Sequence, residues 1–371
     1  MSRLPRTLIA VLLVLCGTGR LVAADVFSWP VIGAPTAAYA PETSWAFGGS
    51  GAGYVILPTD SLGRTSEVSF DVAYTLNRQW FGNVSATLYI THRWQLAMKV
   101  GYRYYPDRFY GVGMRDNNLL YSPEAYNSSS FTLSARPLCR ISPRWHVGAA
   151  VDVRYEGQGL TPGAPWLQTA AGAVAMYDSR DNIYYPHHGM LLKVQALAVP
   201  VWNIGGAQTD VFGRFQLDCR YFVDVYKGLI FAFQGYADVL AGNKVWSYVD
   251  DGGNRVWSPV SVLLPALGGT DMLRGFYYGQ YRDEALVAVQ AEMRFPVYKI
   301  LRGTVFAAAG NTCSLYNPLW TMPKVGYGLG LRLQFNSAGV NIRADVARNN
   351  YDNRWNALSA YSFYLTVKEA F

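Results

Sequence analysis

The chain has 371 residues with a formal net charge of +7, and aromatic and charged residues each make up 15% of it. The basic residues are scattered rather than clustered, which argues against a nucleic-acid-binding protein that works through a basic patch. The 27 Tyr and 36 Gly are unusual for a soluble domain. They are typical of a membrane barrel with aromatic girdles at its two interfaces and small residues inside.

The N-terminal residues 1–24 indicate an export signal. A basic start is followed by the apolar run Leu8–Cys16, which is too short to span a bilayer. Val22 and Ala24 then occupy the two positions that a signal peptidase recognises. We therefore expect a signal peptide at residues 1–24 and a single mature domain, an outer-membrane β-barrel, at residues 25–371.

Apolar and polar side chains alternate with a period of two along most of the mature chain, which predicts β-strands. Fifteen segments show the pattern clearly. Because bacterial single-chain barrels have an even number of strands, we expect a sixteenth at Pro30–Ala40, turned back at the sequence PETS. The other predicted strands are, in chain order, 44–57, 66–76, 79–90, 94–107, 125–141, 144–157, 170–180, 188–200, 210–225, 228–240, 285–297, 300–310, 324–336, 339–349 and 360–371.

The alternation has two possible meanings. A soluble sandwich would bury the apolar face of each strand, whereas a membrane barrel turns that face to lipid and the polar face to its lumen. Export, the aromatic content and the loop lengths favour the barrel. The predicted lipid-facing side chains include Val287, Val289, Leu329, Leu331, Leu333 and Phe335, and the predicted lumenal ones are Gln290, Glu292, Arg294, Arg332, Gln334, Asn341, Arg343 and Asp345.

The connections between the predicted strands alternate in length. Outer-membrane barrels have short turns in the periplasm and long loops outside the cell. We therefore expect an all-β fold, a transmembrane antiparallel β-barrel of 16 strands with both ends in the periplasm. The short connections are 91–93, 142–143, 226–227, 298–299 and 337–338, and the long ones are 108–124, 158–169, 241–284, 311–323 and 350–359.

Three stretches together resemble a known family. They are LRGF within the long connection 241–284, YDSRDNIYYPHHGMLLKV at Tyr177–Val194 and QAEMRFP at Gln290–Pro296. With them the sequence resembles the BamA/TamA surface-antigen family of outer-membrane barrels. The matched residues are the loop tip Leu273, Arg274, Gly275 and Phe276, and the strand–turn residues Asp178, Arg180, Asp181, Asn182, Pro186 and Gly189.

The resemblance implies that the long extracellular loop folds into the lumen, where Arg274 lies against the inner wall. The strand that usually carries an aspartate facing this arginine has Ala308 at that position. A guanidinium in a partly dry lumen needs an acidic partner, and we predict Glu292 as the replacement. A solvated Arg274 in a wide lumen is the alternative. By the same resemblance, Phe371 would be a C-terminal signal for barrel assembly.

The resemblance also implies a function in the bacterial outer membrane, namely outer-membrane protein assembly or polypeptide translocation. Family members usually carry soluble periplasmic POTRA domains before the barrel, and we expect none here because few residues separate Asp25 from the first strand. The expected partners are therefore outer-membrane lipid and separate periplasmic or outer-membrane assembly proteins, and not nucleic acid. The alternative is a passive channel or a structural barrel plugged by its inward loop.

The sequence predicts no catalytic, metal or cofactor site. Strand register pairs neither His92 nor His146 with a nucleophile or base. The adjacent His187 and His188 lie in a predicted turn without ligands at metal-binding spacing. The cysteines of the mature chain are odd in number and far apart, so they form no disulfide framework.

Overall fold

The structure, a computed structural model, describes residues 32–61, 65–113, 123–160, 164–204, 209–242, 247–249, 255–316, 323–334, 341–350, 361–367 and 369–371. Within these residues the chain forms a closed antiparallel β-barrel. No helix in the described ranges has both the length and the apolar character to cross a membrane. The predicted signal peptide at residues 1–24 lies outside them.

Sixteen strands form the barrel wall in the described part of the chain, each paired with its neighbours in chain order. They are β1 (Ile32–Ala40), β2 (Ser44–Ile56), β3 (Thr65–Thr75), β4 (Trp80–Tyr89), β5 (Trp94–Phe109), β6 (Glu124–Arg140), β7 (Trp145–Gln158), β8 (Trp166–Asp178), β9 (Gly189–Asn203), β10 (Thr209–Tyr226), β11 (Leu229–Ala241), β16 (Ala285–Tyr298), β17 (Leu301–Cys313), β18 (Lys324–Gln334), β19 (Asn341–Asn349) and β20 (Tyr361–Val367). The connection between β11 and β16 carries β12 (Ser247–Val249), β13 (Arg255–Trp257), a 3-10 helix (Pro259–Leu263), β14 (Ala266–Leu267) and β15 (Tyr281–Arg282). Because β11 and β16 pair directly, this connection leaves the wall as a loop.

The predicted strand count is confirmed, and β1 is the strand expected at Pro30–Ala40. Two predicted bounds differ from the observed ones by four residues, and the others agree within three. Strand β8 begins at Trp166 rather than at residue 170, because the fully buried indole of Trp166 continues the inward face of that strand. Strand β20 ends at Val367 rather than at Phe371, because the last residues pack inside the barrel instead of in the wall.

The predicted faces of the strands are confirmed where the structure describes them. Leu329 and Leu331 are 64% and 52% exposed on the outer surface, whereas Arg332 is fully buried. Strand β16 divides in the same way, with Val289 outward and Glu292 buried. The polar face therefore lines the lumen and the apolar face meets lipid, as a membrane barrel requires. The predicted lipid-facing Phe335 lies outside the described residues.

The short connections hold their strands in register with tight turns. Between β10 and β11, Lys227 and Gly228 both have positive φ, at 46° and 89°. Two such residues form the type I′ turn, whose twist matches that of the flanking strands. The Asp224 carboxylate accepts the Gly228 N–H at 3.1 Å and closes the turn. This turn fixes which side chains of β11 face the lumen.

The barrel closes between β1 and β20 at a weak seam. Tyr39 and Leu365 are the single pair of Cα partners between these strands in the described part of the chain. The neighbouring pair, β19 and β20, is in register from Ile342 to Arg348. The wall is therefore least firmly joined where its first and last strands meet.

Described residues of the loop between β11 and β16 pack inside the barrel. Val260 and Leu263 of its 3-10 helix are buried in one apolar cluster with Trp166 of β8 and Leu240 of β11. Cavities of about 530 Å³ and about 390 Å³ remain beside the loop. The apolar part of the loop thus packs against the side of the barrel that contains Trp166 and Leu240.

Candidate functional site in the barrel lumen

The loop tip Leu273–Phe276 lies against the inner wall. Leu273 is fully buried and Phe276 is 1% exposed, and both belong to one apolar cluster with Leu267 and with Leu286 at the start of β16. Gly275 has a φ of 104°, a conformation that side chains other than glycine rarely adopt. The tip therefore combines apolar anchors with a sharp turn that aims Arg274 at the wall.

Arg274 is 1% exposed and pairs with two carboxylates. Its Nη2 lies 2.5 Å from Glu292 Oε1 on β16, and its Nη1 lies 2.6 Å from Asp345 Oδ2 on β19. The guanidinium carbon also stacks 3.5 Å from the centroid of the Phe306 ring on β17. The structure thus brings the predicted pair Arg274 and Glu292 together, and Arg274 is buried rather than solvated.

The backbone of the tip is held by the last two strands of the wall. The Gly275 N–H donates to the hydroxyl of Tyr364 on β20 at 2.9 Å, and the Asn349 amide of β19 donates to the Gly275 carbonyl at 2.7 Å. Tyr364 is fully buried. These bonds attach the loop to strands β19 and β20, next to the weak seam.

A second arginine holds the residues just before the tip. Arg343 of β19 donates to the Thr270 carbonyl at 3.1 Å and to the Asp271 carboxylate at 3.3 Å. The Asp271 carbonyl accepts from Gln290 of β16 at 2.8 Å. The residues just before the tip are therefore bonded to two strands of the wall, β19 and β16.

The charged network extends beyond the loop. Glu292 Oε2 lies 2.7 Å from Arg294 Nη2, and Asp345 Oδ1 lies 2.5 Å from Arg332 Nη1. Arg332 Nε in turn lies 2.8 Å from the carboxylate of Glu369. These carboxylates and guanidiniums are almost wholly buried, so each depends on its partners to offset the loss of hydration.

The sequence did not identify Asp345 as a partner of Arg274, although it placed this residue on the lumenal face. Asp345 lies opposite Gly330 in the β18–β19 ladder. A Cβ at Gly330 would lie 2.0 Å from Asp345 Oδ1, so the glycine leaves room for the carboxylate. The sequence did offer one signal for this contact, namely an acid and a glycine that face each other on the lumenal sides of two neighbouring strands. Ala308, in the position where the family has aspartate, packs instead with Leu267 and the apolar side of the tip.

The strand–turn motif forms the connection between β8 and β9. Asp178 and Arg180 form an ion pair at 2.8 Å. The Asp181 carboxylate accepts hydrogen bonds from the backbone N–H groups of His187 and His188. The side-chain oxygen of Asn182 accepts hydrogen bonds from the backbone N–H groups of Tyr184 and Tyr185. Pro186 lies within the turn, and Gly189 ends it with a φ of 108°. These residues shape a turn at the end of the barrel opposite the long loops.

Phe371 lies inside the lumen rather than in a strand of the wall. It is 5% exposed and stacks on Phe222 of β10 with ring centroids 6.3 Å apart. Arg294 lies over both rings, with its guanidinium carbon 5.6 Å from the Phe371 centroid and 5.8 Å from the Phe222 centroid. The role of Phe371 as an assembly signal stays a prediction.

The loop also contacts the first turn of the barrel. The backbone N–H of Tyr278 donates to Glu42 Oε1 at 2.6 Å in the turn between β1 and β2. Burial raises the pKa of Glu42 to about 7, and the charge of Asp107 adds to the shift. The loop therefore contacts both sides of the seam, through Glu42 in the turn after β1 and through Tyr364 on β20.

The described residues contain no cluster of histidines, cysteines and acids that could hold a metal ion. The described cysteines, Cys139, Cys219 and Cys313, are free thiols. His187 and His188 contact Asp224 and Asp181 within and beside their turn.

Comparison with known proteins gives the family. The profile of the Omp85 superfamily domain matches residues 59–371, which is most of the chain. The fold is similar to that of BamA from Haemophilus ducreyi lacking POTRA domains 1–3, with a TM-score of 0.57 at 12% identity over 91% of this chain and 70% of that one. It is also similar to CdiB from Acinetobacter baumannii, with a TM-score of 0.57 at 10% identity over 92% of this chain and 65% of that one. No curated protein matches the sequence.

Proposed function

Because the chain belongs to the Omp85 superfamily, we propose that it acts in outer-membrane protein assembly or in polypeptide translocation. The observation that carries the proposal is the seam between β1 and β20, with Tyr39 and Leu365 as its single pair of partners among the described residues. Unpaired strand edges offer N–H and C=O groups to which an incoming strand can add. The seam is the proposed working part of the molecule.

The loop has a place in this proposal because it contacts β20 and the turn that follows β1. Its tip accepts and donates hydrogen bonds at Asn349 and Tyr364, and the Tyr278 backbone bonds to Glu42. A loop that is docked in this way holds β1 and β20 near each other without lengthening their own ladder. We infer that undocking of the loop accompanies the opening of the seam.

The proposed location is the bacterial outer membrane, with lipid around the apolar outer wall. A separate periplasmic or outer-membrane assembly protein is the proposed partner. The turn between β8 and β9 is a surface that such a protein could reach from the periplasm, because Ile183 within it is 64% exposed. Purification of the barrel from its native outer membrane with mild detergent, followed by identification of bound proteins, tests this partner.

A disulfide across the seam tests the working part. In a protein without native cysteines, Tyr39→Cys and Leu365→Cys place two thiols on directly opposed residues. We expect oxidation to abolish the ability of the barrel to speed the folding of other outer-membrane barrels into liposomes, and reduction to restore it. The control is Val346→Cys with Phe363→Cys, which joins β19 to β20 and leaves the seam free. Equal activity of the oxidised seam and control proteins would contradict the proposal.

A structural barrel or a passive channel is the second candidate, and the packing of the loop inside the barrel favours the structural barrel. Leu263 and Phe276 of the loop are almost wholly buried among wall side chains. Steady conductance in planar bilayers, without any acceleration of barrel folding in liposomes, would identify this function instead.

A further inference from the structure

Residues Glu369–Phe371 occupy the lumen from the side opposite the loop. They follow β20, and Phe371 reaches Phe222 on β10, so the segment crosses the lumen instead of continuing the wall. Ala370 packs in the same buried cluster with Ala232 of β11. We call Glu369–Phe371 the tail segment.

Two chains of alternating charges connect the tail segment to the loop tip. One runs from Arg274 through Glu292 to Arg294, whose guanidinium lies over the Phe371 ring. The other runs from Arg274 through Asp345 to Arg332 and then to Glu369. The loop tip and the tail segment therefore share the same carboxylates and guanidiniums.

Because the loop tip and the tail segment share these charged side chains, the docking of each depends on the docking of the other. Glu292 bonds Arg274 with one oxygen and Arg294 with the other, and Asp345 bridges Arg274 and Arg332 in the same manner. If Arg274 leaves, both acids lose a buried partner, and the cost of an unpaired buried charge disturbs the arginines that hold the tail segment. Conversely, if the tail segment moves away from Arg294 and Arg332, these arginines lose contacts, and the acids that they share with Arg274 are disturbed.

Loss of either contact should affect Arg294 in particular. It is fully buried, and its Nη1 has no hydrogen-bond partner in the described structure. Its position depends on Glu292, on the rings of Phe222 and Phe371, and on the Tyr185 ring at 5.3 Å. Removing the Phe371 ring removes one of these supports without removing any charge.

We propose that the tail segment is a second lumenal plug whose docking is coupled to docking of the loop tip, so that release of either loosens the other. The coupling goes beyond the proposed function, because it requires neither insertion nor translocation activity. It supplies a route by which an event at the periplasmic end of the lumen changes the loop that contacts the seam.

A thiol beneath the loop tip reports loop docking. Ser362 of β20 is half-buried, and its hydroxyl lies 3.4 Å from the Gly275 carbonyl. Ser362→Cys, in a protein whose native cysteines are replaced by serine, changes one atom at this position. The rate of its reaction with a water-soluble maleimide in proteoliposomes then measures how often the tip lifts from the wall.

We expect Phe371→Ala to raise the labelling rate of this thiol by roughly fivefold or more, the lower end of ordinary coupling between sites. The matched control is Tyr221→Ala, which removes an aromatic side chain that is 50% exposed on the outer face of β10, next to Phe222. Only variants that keep the heat-modifiable gel mobility of a folded barrel are compared. If Phe371→Ala does not fold, Phe371→Leu takes its place, because it removes the ring and keeps an apolar side chain.

The reverse experiment completes the test, since coupling between two docking equilibria is reciprocal. Ala370→Cys places a thiol in the tail segment, where the native side chain is 9% exposed. Phe276→Ala in the loop tip should speed its labelling, and Phe233→Ala, at a ring that is 45% exposed on the outer face of β11, should not. Labelling rates that match those of the control variants in both directions would overturn the coupling. An effect in one direction alone would also overturn it, because it would show a local disturbance.

Discussion

The loop meets two sides of the lumen through different kinds of contact. Toward β8–β11, Leu263 and its neighbours pack in an apolar cluster around Trp166 and Leu240. Toward β16–β20, the loop has a smaller apolar cluster around Leu273, and there Arg274 is also bonded to Glu292 and Asp345. Apolar contacts are non-directional and tolerate repacking, whereas buried ion pairs depend on geometry and fail when one partner is lost. The apolar side therefore supplies bulk stabilisation, and the charged side determines where the tip lies.

The largest expected effect tests the charged side. Arg274→Ala and Glu292→Ala should each destabilise the barrel by about 3 kcal/mol, the lower end for a broken buried pair, because each leaves a buried charge without one of its two partners. Asp345 and Arg294 retain partial pairing, so the double variant should cost less than the sum of the two single variants. Denaturant unfolding in detergent micelles, with the heat-modifiable gel shift as a second measure, gives the three values. Strict additivity would show that the two side chains do not depend on each other.

The next effect tests the apolar side. Leu263→Ala removes a side chain that is 5% exposed and should cost about 2–3 kcal/mol through lost burial and the cavity left behind. Combined with Arg274→Ala, its cost should add, because the two residues belong to different clusters with no shared partner. The same unfolding measurement checks both statements. A coupling energy as large as that of the Arg274 and Glu292 pair would remove the distinction between the two sides.

A third effect concerns the space that the charged side needs. Gly330→Ala should cost about 1–3 kcal/mol, because the new methyl group would overlap the Asp345 carboxylate and displace it from Arg274. Gly235→Ala on β11 is the matched control, since a Cβ there meets no atom within 4 Å. Unfolding midpoints compare the two variants with the parent. Equal tolerance of both substitutions would mean that Asp345 has room to move without loosening the tip.

The sequence predicted the wall better than the site, for a physical reason. Strand alternation is local, so the number of strands and the outward face of Leu329 and Leu331 could be predicted without knowing the fold. Glu292 could be proposed as a partner because it lies on the strand that follows the loop. Asp345 is 71 residues from Arg274, and only the landing point of the loop on the wall brings them together.

The inward turn of the tail segment could not be predicted for a related reason. The residues before Phe371 continue a strand-like alternation, so the sequence favoured a strand to the end of the chain. The end of β20 at Val367 depends on partners from distant strands, Arg332 for Glu369 and Phe222 for Phe371. The local alternation of side chains carries no information about such long-range contacts, or about whether they outweigh the strand pairing that residues 369–371 give up.

The smallest expected effect is a pH dependence at the first turn of the barrel, where the loop contacts a single carboxyl instead of a network. Burial raises the pKa of Glu42 from 4.5 to about 7, so folding favours the protonated carboxyl. The stabilisation is therefore complete below about pH 4.5 and is lost as the pH rises to about 7. Burial and the charge of Glu284 also raise the pKa of Asp283, to about 6, which adds a slope of the same sign. Unfolding midpoints measured across this range should fall with rising pH, and Glu42→Gln should reduce the slope while leaving the part due to Asp283. An unchanged slope in Glu42→Gln would mean that the Glu42 carboxyl stays hydrated in the folded barrel, so that the burial which raises its pKa contributes nothing to the pH dependence.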